Sequence, residues 1–424
     1  MAENFHHGPE IIEHLEGNSV VREVKSAVTF IVGTAPIQEV HDTAEKRAAV
    51  TNELVVIRRR EQIEELLGPR MAGYSLPEAL DVHFNKIQSG KGGGTIVAVN
   101  IFNPDLAAHQ DEGDPDPSKV TAADAIGTYT AGKPSGFKLA RTMFNRLGFF
   151  PKILEAPRLS GLVGVRAEME VQANDLSAVY LADLPAGLTV QQAVETRGAT
   201  GAYNTSSSRG ILLYPHLKAY DPVIDDVALQ PYSQHFAGMM VASDLSYGYH
   251  YSPSNRAMSD VLGLERDLEF VPGRYDSDQN ALNEAGIVTA MNYFGSGYRT
   301  WGNRSAGFPT MTTAHQFIHV RRTLDMIHEA ALYYLMDKID RPATKNFLND
   351  IEEDVDAFLR KKEGEGALYG GTFRFDRTKT TSADATDGRF YYRLDCMPVG
   401  VTERMTVDSY LDASLAASAL GLAA

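Results

Sequence analysis

Residues 27–34 read AVTFIVGT, and this short run decides what kind of fold the chain can adopt. A strand that is apolar at nearly every position, rather than at every second one, is typical of a sheet covered on both faces. A second run of this kind, TIVAVNIF, occupies residues 95–102, directly after the glycine-rich segment SGKGGGT. Between the two runs, residues 61–67 and 75–87 have the apolar spacing of helices. The two runs therefore predict buried strands in a body that mixes strands and helices.

The middle of the chain continues this alternation of strand and helix. Its predicted strands are 152–156, 177–183 and 210–215, and its predicted helices are 137–149, 163–175 and 189–199. Alternation of this kind is typical of βαβ units. The first turn from strand to helix reads APRLSG and lacks the G-x-G-x-x-G pattern, which argues against a dinucleotide-binding fold.

The last third has a different pattern. Residues 313–338 predict one amphipathic helix, and a second runs from Phe347 to Lys362, acidic at its start and basic at its end as its macrodipole favours. Strands are predicted in FRFDR (373–377), RFYYRLDCM (389–397) and ERMTVDSYL (403–411), followed by a small-residue tail that cannot fold alone. The first 25 residues also have period-two spacing. Both ends of the chain therefore resemble strands that need a sheet edge to pair with.

Composition excludes several classes of partner. The chain has 424 residues, a formal charge of −15 and a pI near 5.3, so nucleic-acid binding driven by counterion release is not expected. A single cysteine, Cys396, excludes a disulfide framework within the chain. The N-terminus lacks the pattern of a signal peptide and no run of 18 apolar residues occurs, so neither export by a cleaved leader nor membrane insertion is expected.

The glycine-rich segment at 89–95 invites a phosphate-binding interpretation, which its sequence does not support. A P-loop requires G-x-x-x-x-G-K-[ST] between a strand and a helix. Here Asn85 stands in place of the first glycine, Gly92 replaces the hydroxyl residue after Lys91, and a strand follows. The pattern favours a tight turn from helix to strand.

No other catalytic or metal-binding motif stands out. His315 and His319 have the i, i+4 spacing of two ligands, but no third ligand is indicated, and an exposed pair is the favoured interpretation. Asp111, Asp114 and Asp116 lie in an acidic loop without EF-hand spacing. The sequence therefore predicts no cofactor, no metal and no enzyme activity. An α/β enzyme that binds a nucleotide at Lys91 or in the 152–215 layer is the alternative from another class.

Read in order, a series of segments resembles the sheath proteins of contractile phage tails, over nearly the whole chain. These segments are FHHGPEIIE (5–13), VKSAVTFIVGTAP (24–36), YSLPEALDVHF (74–84), GGGTIVAVNIFNP (92–104), KVTAADAIG (119–127), FPKILEAPRLS (150–160), AVYLADLPAG (178–187), ILLYPHLKAYDP (211–222), AGMMVASD (237–244), YHYSPSNRAM (249–258), LNEAGIVTAMNYFGSGYRTWGNRS (282–305), FIHVRRTLDMI (317–327) and FLRKKEGEGALYGGTF (358–373). The chain departs from the family pattern in its short 104–119 region, where many relatives carry a large insertion.

The resemblance implies an α+β multidomain fold. An inner mixed α/β domain is built from the N-terminal arm and the C-terminal third, and an outer α/β domain is inserted in the middle. The expected divisions are an extended arm at 1–25, the outer region at 26–249 with a possible split near 104–119, the inner domain at 250–401 and a C-terminal strand or arm at 402–424.

The resemblance also implies a mechanical function with no cofactor. Family subunits stack as rings around an inner tail tube, form a helical homo-oligomer, meet baseplate and tail terminator proteins, and contract to drive the tube through the host envelope. The expected location is the virion tail, assembled in the host cytoplasm, with no nucleic acid bound and no membrane insertion. The sheath of a tailocin or an extracellular contractile injection system is the alternative within the class.

Two groups of residues follow as expected contact sites. Terminal arms of neighbours are expected to add strands to a sheet in the C-terminal part of another subunit, through the apolar residues Ile11, Ile12, Val20, Val21, Val24, Met405, Val407 and Leu411. The tube is expected to meet basic pairs on exposed helix faces, namely Arg321, Arg322, Lys361 and Lys362.

Overall fold

A computed structural model describes residues 21, 24–86, 94–130, 132–258 and 260–420. Its strands, in chain order, are β1 (Val28–Gly33), β2 (Val55–Ile57), β3 (Thr95–Asn100), β4 (Gln110–Asp111), β5 (Asp114–Pro115), β6 (Tyr129–Thr130), β7 (Lys133–Pro134), β8 (Ile153–Glu155), β9 (Val179–Asp183), β10 (Gly210–Leu213), β11 (Leu217–Asp221), β12 (Asp226–Gln230), β13 (Ala257–Met258), β14 (Val261–Leu264), β15 (Ile287–Asn292), β16 (Tyr298–Trp301), β17 (Leu368–Phe375) and β18 (Tyr392–Pro398).

The α-helices alternate with these strands through most of the chain. They are α1 (Ala44–Ala48), α2 (Glu61–Leu67), α3 (Leu76–Lys86), α4 (Ala122–Ile126), α5 (Met143–Leu147), α6 (Val163–Leu176), α7 (Val190–Arg197), α8 (Tyr232–Tyr247), α9 (Asp278–Glu284), α10 (Ile318–Met336), α11 (Lys345–Gly364), α12 (Ser382–Thr386) and α13 (Ala413–Leu420). None of the helices in the described part of the chain combines the length and apolar character that a membrane crossing needs.

The centre of the fold is a nine-stranded sheet in the order β13-β16-β15-β10-β9-β8-β1-β3-β2. The strands from β3 to β15 run parallel to their neighbours, and the antiparallel strands β2, β16 and β13 lie at the two sides. Parallel strands are normally covered on both faces. The α/β layer predicted from the alternating pattern is confirmed, and β1 and β3 are direct neighbours in the sheet.

The apolar run at 27–34 is continuous because its side chains feed a core on each side of the sheet. Val28, Phe30 and Val32 belong to the core under α6, whereas Ile31 belongs to a second core under α3. Phe236 of α8 belongs to a third core, which covers the same sheet beside α3. A strand whose alternate residues all face apolar helices has no position left for an exposed polar side chain.

A smaller body follows the main sheet. Helices α10 and α11 pack with the hairpin β17–β18 around a separate apolar cluster that includes Ile327, Tyr334, Val355 and Leu359. The stripe predicted on both helices is therefore a core face. Val21, at the end of the N-terminal arm, is buried in the same cluster of its own chain.

Buried ion pairs join the smaller body to the main sheet. Arg322 of α10 donates to Asp244 of α8 over 2.9 Å, and both residues are buried. Asp325 of α10 accepts from Arg209 over 2.9 Å and from Arg321 over 2.6 Å. Because breaking such a pair leaves a charge without a counterion in a dry setting, these contacts favour one relative orientation of the two bodies.

Part of the segment expected to form the inner domain, from residue 250 onward, belongs to the main sheet. Strands β13, β15 and β16 come from the segment assigned to the inner domain, yet they extend the main sheet through the β10–β15 pair. The sheet therefore ends at Trp301, and the smaller body begins with α10. Periodicity could not reveal this, because a strand's position in a sheet depends on which strand it pairs with.

Two local predictions, for residues 137–149 and 403–411, were wrong at least in part. The predicted helix 137–149 is a 3₁₀ helix over Gly136–Thr142 followed by the short α5. The small-residue tail, for which no element was predicted, forms the helix α13. Residues 403–411 form no strand, since they have no pairing partner within the described chain. The acidic loop carries only the two-residue strands β4 and β5, and Asp111 pairs there with Lys119 over 2.9 Å.

Candidate subunit-interaction site

The hairpin β17–β18 is a two-stranded sheet with one face on α11. Phe373 and Phe375 on β17 lie opposite Leu394 and Tyr392 on β18, and these four side chains face the smaller core or its margin. Phe373 and Tyr392 stack with their ring centroids 4.9 Å apart. Two strands have two outer edges, and an outer edge carries unpaired backbone groups that can accept a further strand.

The outer edge of β17 is closed by carboxylates of α11. The Phe373 N–H donates to Asp356 Oδ1 over 2.7 Å, and the Phe375 N–H donates to Glu352 Oε1. The Phe373 carbonyl accepts from the Arg374 guanidinium over 2.7 Å, and Arg374 also pairs with Asp356. Side-chain oxygens therefore occupy the places that a neighbouring strand's carbonyl groups would take.

The outer edge of β18 has no such cover in the part of the chain that the structure describes. In an antiparallel pair, two opposite residues either both exchange hydrogen bonds or both point their backbone groups outward. Since Phe373 and Phe375 point away from β18, Leu394 and Tyr392 point away from β17. Cys396, two positions on, has the same orientation by this alternation, and no side chain of the described residues binds these outward groups. Among the described residues, this edge is therefore open to a strand.

The segment after β18, residues 399–412, forms no helix or strand and pairs with no described strand. His319 Nε2 donates to the Val399 carbonyl over 3.0 Å, which anchors the end of β18. Glu403 then accepts from both Arg304 Nε and Nη2, at 2.8 and 2.6 Å, and Arg404 Nη2 donates to the Tyr275 hydroxyl over 2.7 Å. These contacts hold the beginning of the arm against the loops of the main body.

All side chains along residues 403–411, here called the C-terminal arm, are exposed, and apolar residues occupy alternate positions. Met405 is 83%, Val407 86% and Leu411 fully exposed, and in an extended conformation they share one side of the chain with Ser409. The opposite side carries Arg404, Thr406, Asp408 and Tyr410. This is the sequence pattern of a half-buried strand, and Leu394 and Cys396 on β18 are also only half-buried.

The predicted arm residues fall into three groups. Met405, Val407 and Leu411 are exposed, whereas Val21 is buried in its own chain and Val24 packs partly against the same cluster. Val21 packs within its own subunit, and its contact with a neighbour stays a prediction. Ile11, Ile12 and Val20 lie outside the described residues.

The expected exposure of the basic pairs is wrong for two of the four residues. Arg322 is buried against Asp244, and Lys362 is buried with its ammonium 2.8 Å from Glu365. Arg321 is mostly covered and pairs with Asp325. Lys361 alone of the four keeps a side chain that is mostly exposed, 3.6 Å from Glu365. Charge in the sequence did not reveal this burial, because the counterions come from other elements or from the turn after the helix.

The histidine pair does not share a helix face. His315 lies in the 3₁₀ turn Ala314–Gln316, before α10 begins. His319 is buried in α10, where Asn303 Nδ2 donates to Nδ1 over 2.9 Å. The predicted exposed pair is therefore wrong for His319. Among the described residues, no group of three or more His, Cys, Asp or Glu residues is arranged to hold a metal ion.

Lys91 and most of the glycine-rich segment lie outside the described residues. Gly94, at its end, has φ +64° and delivers the chain into β3, where the Thr95 N–H donates to the Ala27 carbonyl over 2.9 Å. A Cβ atom at Gly94 would lie 2.8 Å from Val241 Cγ1. The described end of the segment is thus the turn into a buried strand.

Sequence reasoning missed Glu352 and Asp356. The acidic start of α11 was explained by the helix macrodipole, which needs no specific partner. The available signal was their i, i+4 spacing, which places both carboxylates on one helix face beside a short turn into a strand. Nothing in the sequence states that this strand's edge meets that face.

Comparison with known proteins identifies the family. Residues 162–306 match the family model described as the phage tail sheath protein central domain, and residues 310–412 match the phage tail sheath C-terminal domain. The division between the two falls where the main sheet ends and the smaller body begins.

Whole-chain relatives agree with this match. The tail sheath protein of Burkholderia phage BcepMu is 32% identical, over 96% of this chain and 97% of its own length, and that of Escherichia phage P2 is 23% identical over 96% and 97%. Among solved structures, the contracted helical sheath of the anti-feeding prophage aligns with a TM-score of 0.68 at 16% identity, over 96% of this chain and 100% of that one. The contracted sheath of the extracellular injection system PVC aligns with a TM-score of 0.66 at 16% identity, over 98% and 100%. The chain belongs to the phage tail sheath family.

Proposed function

We propose that this subunit polymerises into a helical sheath by lending its C-terminal arm as a strand to the β18 edge of a second copy. The single observation that carries the proposal is that one chain has both a β18 edge open among the described residues and an exposed segment with apolar residues at alternate positions. Strand addition supplies main-chain hydrogen bonds for affinity and alternate side-chain positions for register.

The apolar side of the arm supplies the driving force. Full burial of an exposed Met, Val or Leu side chain contributes about 1.5–3 kcal/mol. Met405, Val407 and Leu411 together would contribute roughly 5–9 kcal/mol if all three were fully covered in the neighbour. This gain is offset by the cost of ordering the arm, so the contact is strong enough to join subunits only when most of the arm is seated.

A strand exchanged between copies can remain paired while the subunit bodies rotate. We propose that subunits stack as rings around an inner tail tube, and that the arms keep the rings connected as the sheath contracts and drives the tube through the host envelope. The free energy comes from contacts that the bodies gain in the contracted state, and a barrier holds the extended state until a trigger acts. This cycle requires no nucleotide and no catalytic residue.

Cysteine cross-linking tests the arm contact directly, because Cys396 on β18 is the chain's only cysteine. Met405→Cys, Val407→Cys and Ser409→Cys place a second thiol on the apolar side of the arm. Under mild oxidation, at least one of the three variants should form a disulfide with Cys396 of another copy, giving dimers and ladders on a denaturing gel. Thr406→Cys and Asp408→Cys are matched controls, since their side chains face the other way.

Two deletions complete the test. Removing residues 403–424 should leave a folded monomer that no longer forms hollow cylinders in negative-stain images, and removing residues 2–20 should have the same effect if the N-terminal arm also links subunits. Cylinders of normal length from the chain lacking 403–424, together with no cross-link to Cys396, would reject the proposal.

The assembly's partners and location extend the same proposal. The sheath would meet baseplate and tail terminator proteins at its two ends, and would assemble in the host cytoplasm as part of the virion tail. A tailocin or an extracellular injection system would use the same subunit contacts, and the presence or absence of capsid genes beside this gene separates the two. A nucleotide-binding enzyme is the remaining alternative; ATP, GTP and NAD should leave the melting temperature unchanged, because a ligand of the native state would raise it.

Lys361 is the residue we retain for contact with the inner tube, because it is the one predicted basic residue with a largely exposed side chain. Lys361→Glu should weaken association with tubes and leave sheath formation without tubes unchanged. Lys345→Glu, at the exposed start of the same helix, is the matched control. Equal effects of the two substitutions would remove Lys361 from the tube contact.

A further inference from the structure

We propose that Glu352 and Asp356 close the β17 edge, so that arm strands add only at the β18 edge and the sheet grows in one direction. The strand that pairs with β18 is the C-terminal arm of a second copy, and any further strand must pair with that arm. The inference rests on the proposed exchange of arms between subunits, and it specifies the edge at which the exchange takes place.

The first argument is occupancy. Backbone N–H groups of alternate residues point outward along a strand edge, and on β17 two successive outward N–H groups, those of Phe373 and Phe375, already donate to carboxylates. The Phe373 carbonyl is taken by Arg374. A strand arriving at β17 must displace ionised acceptors, and hydrogen bonds to charged groups are about twice as strong as neutral ones.

The second argument is packing. Asp356 is 8% exposed and Phe373 4%, so the carboxylate is seated within the contact between α11 and β17. Val355 and Leu359, its neighbours on α11, belong to the smaller core. The packing of α11 on that core therefore holds the two carboxylates at the β17 edge. Charged side chains are a known way of blocking an edge strand.

The third argument is the contrast with β18 in the same hairpin. Among the described residues, no side chain binds the outward backbone groups of Tyr392, Leu394 and Cys396. These three side chains are half-buried, so an added strand would complete the cover over the smaller core. One edge is thus satisfied within the subunit, and the other gains both hydrogen bonds and apolar burial from a partner.

Cross-linking can distinguish the two edges because the hairpin offers a matched pair of positions. Thr372 on β17 lies directly opposite Asp395 on β18, and both side chains are exposed on the face away from α11. A disulfide requires Cα atoms within about 7 Å. In adjacent antiparallel strands opposite Cα atoms are about 5 Å apart, whereas two strand spacings exceed about 9 Å. An arm beside β18 can therefore reach position 395 and not position 372.

The experiment uses the full chain with Cys396→Ser and one cysteine at Thr406 or Asp408 of the arm. We expect Asp395→Cys to form intersubunit disulfides with at least one of these and Thr372→Cys to form about tenfold fewer or none. Adding Glu352→Ala and Asp356→Ala should open the second edge and make the Thr372→Cys cross-link appear. Glu353→Ala, an exposed acid on the same helix, is the matched control and should not have this effect.

The outcomes separate this inference from the proposed function. A strong cross-link from Thr372→Cys with Glu352 and Asp356 intact would overturn the inference, while arm exchange would stand. Failure of the double alanine variant to open the edge would likewise overturn the role of the two carboxylates. If the double alanine variant does not fold, Glu352→Gln and Asp356→Asn, which remove the charges and keep the shape, provide the same comparison. Normal cylinders without the arm would reject the proposed function itself.

Discussion

Replacing Arg322 with alanine is expected to destabilise the whole subunit, because it leaves the Asp244 carboxylate buried without its counterion. Both side chains are almost completely buried, and Arg322 Nη1 lies 2.9 Å from Asp244 Oδ1. Removing one partner of a buried ion pair costs about 3–5 kcal/mol. Since Asp244 belongs to the main body and Arg322 to the smaller one, the substitution removes an ion pair from the contact between the two bodies.

The size of this effect can be expressed as a melting temperature. The entropy of unfolding is about 2.1 cal/mol/K per residue, which gives roughly 0.9 kcal/mol/K for a chain of 424 residues. A loss of 3–5 kcal/mol therefore corresponds to a decrease of about 3–6 °C. Thermal unfolding followed by circular dichroism, at concentrations too low for polymerisation, measures this shift.

Two further variants make the test specific. Arg321→Ala removes the neighbouring arginine, but Asp325 keeps its hydrogen bonds with Arg209, so the cost should be only about 1 kcal/mol. Arg322→Met with Asp244→Leu removes both charges and should recover most of the lost stability, because apolar residues of similar volume can replace a buried ion pair. Equal effects of Arg321→Ala and Arg322→Ala, or a double variant no more stable than Arg322→Ala, would refute this reasoning.

Three other perturbations follow from single contacts. Gly94→Val should greatly reduce the yield of folded subunit, since a side chain there clashes with Val241 and the backbone φ is positive. Gly113→Ala, also at a positive φ but in open space, should cost only about 1–2 kcal/mol of stability. Equal yields from the two variants would contradict this. Burial lowers the pKa of His319 to about 4, so the unfolded chain binds the proton more tightly than the folded chain. The free energy of unfolding should therefore fall by about 3 kcal/mol as pH decreases from about 6.5 to 4. Denaturant titrations of His319→Gln should show a shallower fall with pH, and an unchanged pH dependence would exclude His319 as the source. Burial, and to a lesser extent the Asp395 carboxylate, raises the pKa of the Cys396 thiol. Alkylation of Cys396 at pH 8 should therefore be slower in the native subunit than in urea, and faster in native Asp395→Asn than in the native unsubstituted subunit. Equal alkylation rates for the native and unfolded subunit would contradict this.

Sequence patterns identified the α/β layer because its strands are short, apolar on both faces and separated by helices. In the run at 27–34, alternate residues enter different cores, and its two polar residues, Thr29 and Thr34, are buried as well. The amphipathic stripes of α10 and α11 could be predicted just as directly, since burial of one helix face requires apolar residues with a period of 3.6. The alternating apolar positions of the C-terminal arm could also be read from the sequence, although the arm pairs with no strand among the described residues.

Side-chain partners that are distant in the sequence could not be predicted from it. Arg322 and Lys362 looked like exposed charges because their counterions could not be assigned, and Glu352 and Asp356 looked like ordinary acids at the start of a helix. Local pattern did not show that β15 and β16 extend the main sheet, since sheet order depends on pairing.

The amino-acid sequence by itself determined the α/β character of this chain, its family resemblance and the alternating apolar positions of its C-terminal arm. Each of these depends on local periodicity or on motifs in a linear order, which the chain carries without folding. Only the tertiary structure decided which charges are buried, where the main sheet ends and which edge of the β17–β18 hairpin is open. Those properties depend on long-range contacts, because a carboxylate on α11 blocks a strand edge only when folding brings its oxygen within hydrogen-bonding distance of that edge.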